Sequence, residues 1–118
     1  MNIHGQYKQY TDEELMKFIQ RNDHAAFNEI YDRYGKRILS FMYKMLDADK
    51  HKAQDFLQDL FLKIAENPHL FDPGKKFYTW VFAVAANMCR TAYRNKKVQN
   101  AYSIENRFDK TSHYDNNF

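Results

Sequence analysis

The stretch Ala53-Gln54-Asp55-Phe56-Leu57-Gln58-Asp59-Leu60-Phe61-Leu62-Lys63-Ile64 spaces its apolar residues at the helical period. At about 100° per residue, Ala53, Phe56, Leu57, Leu60 and Ile64 share one arc, which must face a core. The opposite arc carries Asp55, Gln58, Asp59, Leu62 and Glu66. An acidic outer arc is commonly just a solvated face. Leu62 among carboxylates and an amide also suits a docking surface, although single exposed leucines are ordinary. Asp49 can cap this helix, and Asn67-Pro68 ends it near Glu66.

Working outward, the same period recurs on both sides. Thr11-Asp12-Glu13-Glu14 has capping-box spacing and opens a short helix with Leu15, Phe18 and Ile19 on one stripe. Asp23 is the next N-cap. Its helix runs to about Leu46 with Phe27, Ile30, Tyr31, Tyr34, Ile38, Met42 and Leu46 at helical spacing, and Asp47-Ala48-Asp49 breaks it. Gly35 inside that helix costs around 1 kcal/mol against Ala but does not forbid it. Downstream, Asn67 to Lys76 holds both prolines and the turn Asp72-Pro73-Gly74, and reads as an exposed loop. A further helix follows from Phe77 to about Lys97, and beyond Val98 the chain turns polar and aperiodic. The expected fold is all-α, a compact bundle of about four helices.

Composition narrows the function classes. The 17% aromatic share can build a core in a chain of 118 residues, and no β-branched runs between turn signals suggest strands. Cys89 is alone, which rules out an intramolecular disulfide framework and a cysteine zinc cluster, and suits a reducing cytoplasm. No stretch approaches the roughly 18 apolar residues of a membrane span, so membrane insertion is not expected. His4, His24, His51, His69 and His113 are scattered without ligand spacing, and no nucleophile–base pair stands out. The expectation is no enzyme, no catalytic or metal site and no cofactor.

The net charge of +3 says little; its distribution says more. Asp47 to Asp72 holds six acids against three lysines. Lys75 to Lys97 holds six basic residues, Lys75, Lys76, Arg90, Arg94, Lys96 and Lys97, and no acid. On the last helix, Phe77, Val81, Val84, Ala85, Met88 and Ala92 form the core arc, with Asn87, Arg90, Arg94 and Lys97 on the far side and Trp80 at the margin. Donors on one face without nearby acids attract phosphate and release counterions. Phe77, Tyr78 and Trp80, where the loop enters the helix, are rings on which single-stranded bases could stack; core packing competes as an explanation, most strongly for Phe77. A basic helix face alone would serve a membrane surface or an acidic partner equally well.

At these two helices the sequence resembles the extracytoplasmic-function (ECF) group of bacterial sigma factors, in the domain called region 2. The matching stretches are Ala53 to Phe61 and Phe77-Tyr78-Thr79-Trp80-Val81, continuing through Ala85, Asn87 and Arg94. Asp12-Glu13-Glu14-Leu15, Ala26-Phe27 and Tyr31–Tyr34 also fit, so the likeness covers about residues 11–97. The resemblance implies a region 2 domain over 1–97 and a polar linker or tail over 98–118. It implies a transcription initiation factor that docks on core RNA polymerase and recognises and helps melt the promoter −10 element. Asp55, Gln58, Asp59 and Leu62 would meet the clamp helices of the polymerase largest subunit. Lys75, Lys76, Tyr78, Thr79, Trp80, Asn87, Arg90, Arg94 and Lys97 would serve promoter DNA, and the loop Asn67–Lys76 would hold a base flipped from the duplex. The resemblance admits an anti-sigma factor as a further partner.

Two departures accompany it. Thr91 stands where many members carry an acidic residue, and nothing after Val98 supplies the second, helix-turn-helix domain of the family. The chain is therefore expected to be a portion trimmed from a longer protein. The competing reading is a sigma-like helical module for protein interaction without DNA activity of its own.

Overall fold

Three side-chain caps set where the helices begin. In the computed structural model, which describes residues 6–105 and the side chains of 6–95, Thr11 accepts from the Glu14 amide and Glu14 accepts from the Thr11 amide. This reciprocal box starts α1, Asp12–Ile19. Asp23 accepts from Ala26 to open α2, His24–Met45, and Asp49 accepts from Lys52 to open α3, Lys50–Glu66. Each such cap satisfies an otherwise orphaned amide, worth about 1 kcal/mol. A 3-10 turn, Pro68–Leu70, follows, and then α4, Phe77–Glu105. The expected all-α architecture is the observed one.

The α4 backbone continues through Glu105, past the expected end at Lys97. The intervening residues contain neither Gly nor Pro and no sequence stop signal, so polarity alone did not end the helix.

The turns explain themselves locally. Asn22 adopts φ 66° between α1 and α2, a conformation its side chain tolerates. After α2, Asp47 and Ala48 take φ 56° and 62°, and the Ala48 amide reaches back to the Tyr43 carbonyl at 2.9 Å. Gly35 is buried because the Tyr31 ring lies over it; a Cβ there would meet the ring at 3.2 Å.

Helix α2 is the central element and packs against α1, α3 and α4. Its inner stripe of Ile30, Tyr34, Ile38 and Met42 is buried against Leu15, Met16 and Ile19 of α1, Leu57, Leu60 and Ile64 of α3, and Phe77, Val81 and Ala85 of α4. Burying side chains of this size contributes roughly 1.5–3 kcal/mol each. The core differs from the arcs in a few places. Tyr31 is exposed and Phe27 half-buried, because both lean sideways onto Phe61 at ring distances of 4.7 and 6.0 Å. Phe61 is thereby sealed, while Phe56 is only half-buried. On α4, Cys89 and Thr91 join the core, and Val84 and Ala92 sit at its edge. Phe77 is fully buried, which settles it as core.

One polar cluster ties the N-terminal segment to the bundle. Arg33 donates to Glu29 and Asp12, each at 2.9 Å, and to the carbonyls of Tyr7, Lys8 and Tyr10. Tyr34 donates a hydrogen bond to Asp12, and Tyr7 donates to Asp23 at 2.6 Å. Burial, then the Asp12 bond, push the Tyr34 phenol well above its ordinary range. These contacts fix α1 across the end of α2.

Candidate functional site

The outer face of α3 is open. Asp55, Gln58 and Asp59 are exposed, and Leu62 among them is 54% exposed. Their orientation follows from the inner face: with Leu57, Leu60, Phe61 and Ile64 buried, the helical period turns the other positions to solvent. The Arg33–Asp12, Arg33–Glu29 and Lys8–Glu29 ion pairs lie away from this face.

The outer face of α4 is open as well. Thr79, Asn87, Arg90 and Arg94 are exposed, and so are Lys75 and Lys76 at the end of the preceding loop. Arg90 donates to Asn87 Oδ1 at 2.7 Å, so the two side chains form one hydrogen-bonded unit a turn apart. The Lys97 side chain lies outside the described residues. Beneath this surface the Cys89 thiol is buried, which pushes it up to about 11 from an ordinary 9.0. Thr91, the departure from the family pattern, is buried.

The loop of 67–76 is less exposed than its composition suggests. Phe71 is buried, with its ring 5.4 Å from Phe77 and 5.2 Å from Trp80. Gln20, the C-cap of α1, donates through Nε2 to the carbonyls of Pro68 and Phe71, both at 3.1 Å. Asp72 closes the distal turn by accepting from Gly74 at 2.9 Å. Where the loop becomes α4, the Phe77 amide donates to Glu13 Oε2 at 2.8 Å. A carboxylate at that position also complements the positive end of the helix dipole.

Two aromatic residues at the start of α4 sit on different sides of it. Trp80 is half-buried, because its ring completes the cluster with Phe71 and Phe77 (5.9 Å) and leaves only part of itself to solvent. Tyr78 is exposed but lies about 160° around α4 from Trp80, at 3.6 residues per turn. It faces α2, with Phe82 at 4.9 Å and the Arg37 guanidinium 5.2 Å from its ring. Arg37 also covers Tyr34 and Phe82 at 5.2 and 5.9 Å. The structure therefore brings Trp80, Asn87, Arg90 and Arg94 to one side of α4, and groups Tyr78 with Arg37 on another. Arg37, Gln20, Glu13 and Phe71 were not singled out from sequence. Only Arg37 left a local trace there, three residues after Tyr34 on the same helical face.

The family model for Sigma-70 region 2 matches residues 30–98, the span that contains α3, the loop and the described face of α4. The chain belongs to the sigma-70 region 2 family. The ECF RNA polymerase sigma factor SigW of Bacillus subtilis is 34% identical to this region 2 domain over 82 residues, covering 70% of the chain and 43% of SigW. The RNA polymerase sigma factor CarQ of Myxococcus xanthus is 31% identical over 78 residues, 66% of the chain and 44% of CarQ. The ECF RNA polymerase sigma-E factor of Escherichia coli is 28% identical over 83 residues, 70% of the chain and 42% of that protein. The ECF resemblance read from the motifs is thus the affinity the comparisons show. The chain spans less than half the length of these curated relatives. Among the described residues, no helix of the region 2 domain is long and apolar enough to cross a membrane.

Proposed function

We propose that this region 2 domain is the polymerase-docking and promoter-opening part of a transcription initiation factor acting in the bacterial cytoplasm. The observation that carries the reading is the pair of separate open faces, Asp55–Gln58–Asp59–Leu62 on α3 and Asn87–Arg90–Arg94 on α4, neither buried against the other. The α3 face docks on the clamp helices of the largest polymerase subunit, with the carboxylates and the amide meeting basic and polar groups around Leu62. An anti-sigma factor would act by covering one of these faces.

On α4, Arg90, Arg94 and Lys97 hold phosphates and set register, with Lys75, Lys76 and Thr79 extending the contact toward the loop. Asn87, already oriented by Arg90, presents its remaining amide hydrogens to the −10 element. The loop at 67–76 receives an extruded base beside the free edge of Trp80, and Tyr78 with Arg37 offers a second ring surface to the opened strand. Opening runs on binding energy. DNA stacking averages about 1.4 kcal/mol per step, and capture of a base on a ring returns roughly 1–3 kcal/mol. One or two captured bases therefore offset one or two opened steps, which nucleates a bubble that the polymerase extends.

The test uses the chain bound to core polymerase and fluorescent single strands selected by that complex from a randomised pool. Arg94→Ala should weaken binding to all selected strands alike and reduce the slope of log affinity against log salt by roughly 0.7. Unchanged affinity together with an unchanged slope would remove α4 as the DNA face. Failure of the complex to select any strand, with core binding intact, would favour a protein-interaction module.

A further inference from the structure

The loop at 67–76 lies between α3 and α4, yet its conformation is set from elsewhere. Gln20 supplies one amide group to two loop carbonyls, Pro68 and Phe71, at 3.1 Å each. Glu13 accepts from the first amide of α4 at 2.8 Å. Both side chains belong to α1 or its C-cap, outside the residues matched by the family model. The loop's own bonds close two short turns, from the Leu70 and Phe71 amides to the Asn67 and Pro68 carbonyls and, at the tip, from the Gly74 amide to Asp72 Oδ1 and the Lys75 amide to the Asp72 carbonyl; none of these ties the loop to another element. Turns closed within the loop leave it able to pivot about its two ends; Gln20 at one end and Glu13 at the other, together with the Phe71 ring seated on Phe77 and Trp80, hold it against the bundle. Gln20 is itself held in place, because Arg33 and Tyr34 anchor Asp12 at the start of the same short helix.

We infer that α1 is the positioning element for the loop, and that Gln20 sets its base-receiving shape without touching the base. The inference rests on the proposed role of the loop as a receptor for an extruded base. In Gln20→Glu a carboxylate oxygen replaces the donor and faces two carbonyl oxygens, so the loop leaves its present shape for most of the time. Apparent affinity for the base then falls in proportion to the lost population. Loss of two neutral hydrogen bonds makes that fall on the order of tenfold. Phosphate contacts on α4 are made by other residues and keep their salt dependence.

The experiment compares strands selected by the core-bound chain with the same strands carrying an abasic site at each position in turn. The unsubstituted chain should bind one intact position more tightly than its abasic counterpart. In Gln20→Glu this ratio should drop about tenfold, while the salt slope and core binding stay as they were. Gln20→Lys, which restores a donor, should recover much of the ratio. Faster amide exchange at Leu70 and Phe71 in Gln20→Ala, measured without DNA, should accompany the loss. If the unsubstituted chain discriminates and Gln20→Glu discriminates equally, α1 does not position the loop and the inference falls alone. If the unsubstituted chain shows no abasic effect at any position, the base-receiving role fails and takes the inference with it.

Discussion

Replacing Arg33 with Ala should be strongly destabilising, and its size can be worked from the contacts. Arg33 satisfies Glu29 Oε2 at 2.9 Å, Asp12 Oδ1 at 2.9 Å and the three carbonyls of Tyr7, Lys8 and Tyr10. The Glu29 side chain is only 4% exposed. Its other oxygen accepts no hydrogen bond and has the Lys8 ammonium 3.9 Å away. Without the guanidinium a buried carboxylate loses its principal partner, a change that costs roughly 3–5 kcal/mol for a sealed pair. Arg33 itself is 23% exposed, so water can partly replace it, and the lower end, about 3 kcal/mol, is expected. In a domain of this size that lowers Tm by roughly 12–24 °C. Urea and thermal unfolding followed by circular dichroism would measure it. A double variant, Glu29→Leu with Arg33→Met, removes both charges and should recover most of the loss, since the penalty is the stranded charge rather than the missing contact. A cost below about 1 kcal/mol for Arg33→Ala, or a double variant as unstable as the single one, would refute the reasoning.

Three further outcomes follow from particular residues. Ala48→Gly should raise stability by roughly 1 kcal/mol in urea titrations, because a Cβ is disfavoured at its left-handed φ of 62° and Gly is not. Cys89, raised by burial to about 11, keeps its proton in the folded chain where the unfolded thiol would lose it. Its contribution is therefore full below pH 9.0 and is lost as pH rises toward about 11, so Cys89→Ala should show a shallower loss of stability across that window than the unsubstituted chain. Asp55→Ala combined with Gln58→Ala should reduce co-purification with core polymerase by at least about tenfold, as expected if two docking groups near the centre of an interface are lost. Both residues are exposed, so the helical spectrum should not change; normal co-purification would remove the α3 face from the docking role.

Much of the candidate site was legible before any coordinates, for a local reason. Asp55, Gln58 and Asp59, like Asn87, Arg90 and Arg94, are exposed because their own helices bury the opposite arc, and that arc is written in the sequence at the helical period. Edge positions were harder. Trp80 and Tyr78 lie two residues apart, and the sequence offers both as rings where the loop enters α4. Which of them packs, and against what, depends on Phe71 and Phe77 on one side and Arg37 on the other. The prolines and turn residues of the loop predict exposure, yet Phe71 is sealed beneath it by the same ring cluster.

The sequence by itself determined where the first three helices begin, with N-caps at Thr11, Asp23 and Asp49, the opposed charge of α3 and α4, and through its motifs the family. Each of these depends on residues within a turn or two of one another, where hydrogen-bond reach and helical periodicity act directly. Only the tertiary structure decided that Glu13 would cap a helix 64 residues away, that Gln20 would hold the loop, and that Arg33 would gather three carbonyls and two carboxylates. Such partners meet because packing of the apolar stripes brings their backbones together. A donor's identity in the sequence does not reveal which distant acceptor the core will deliver to it.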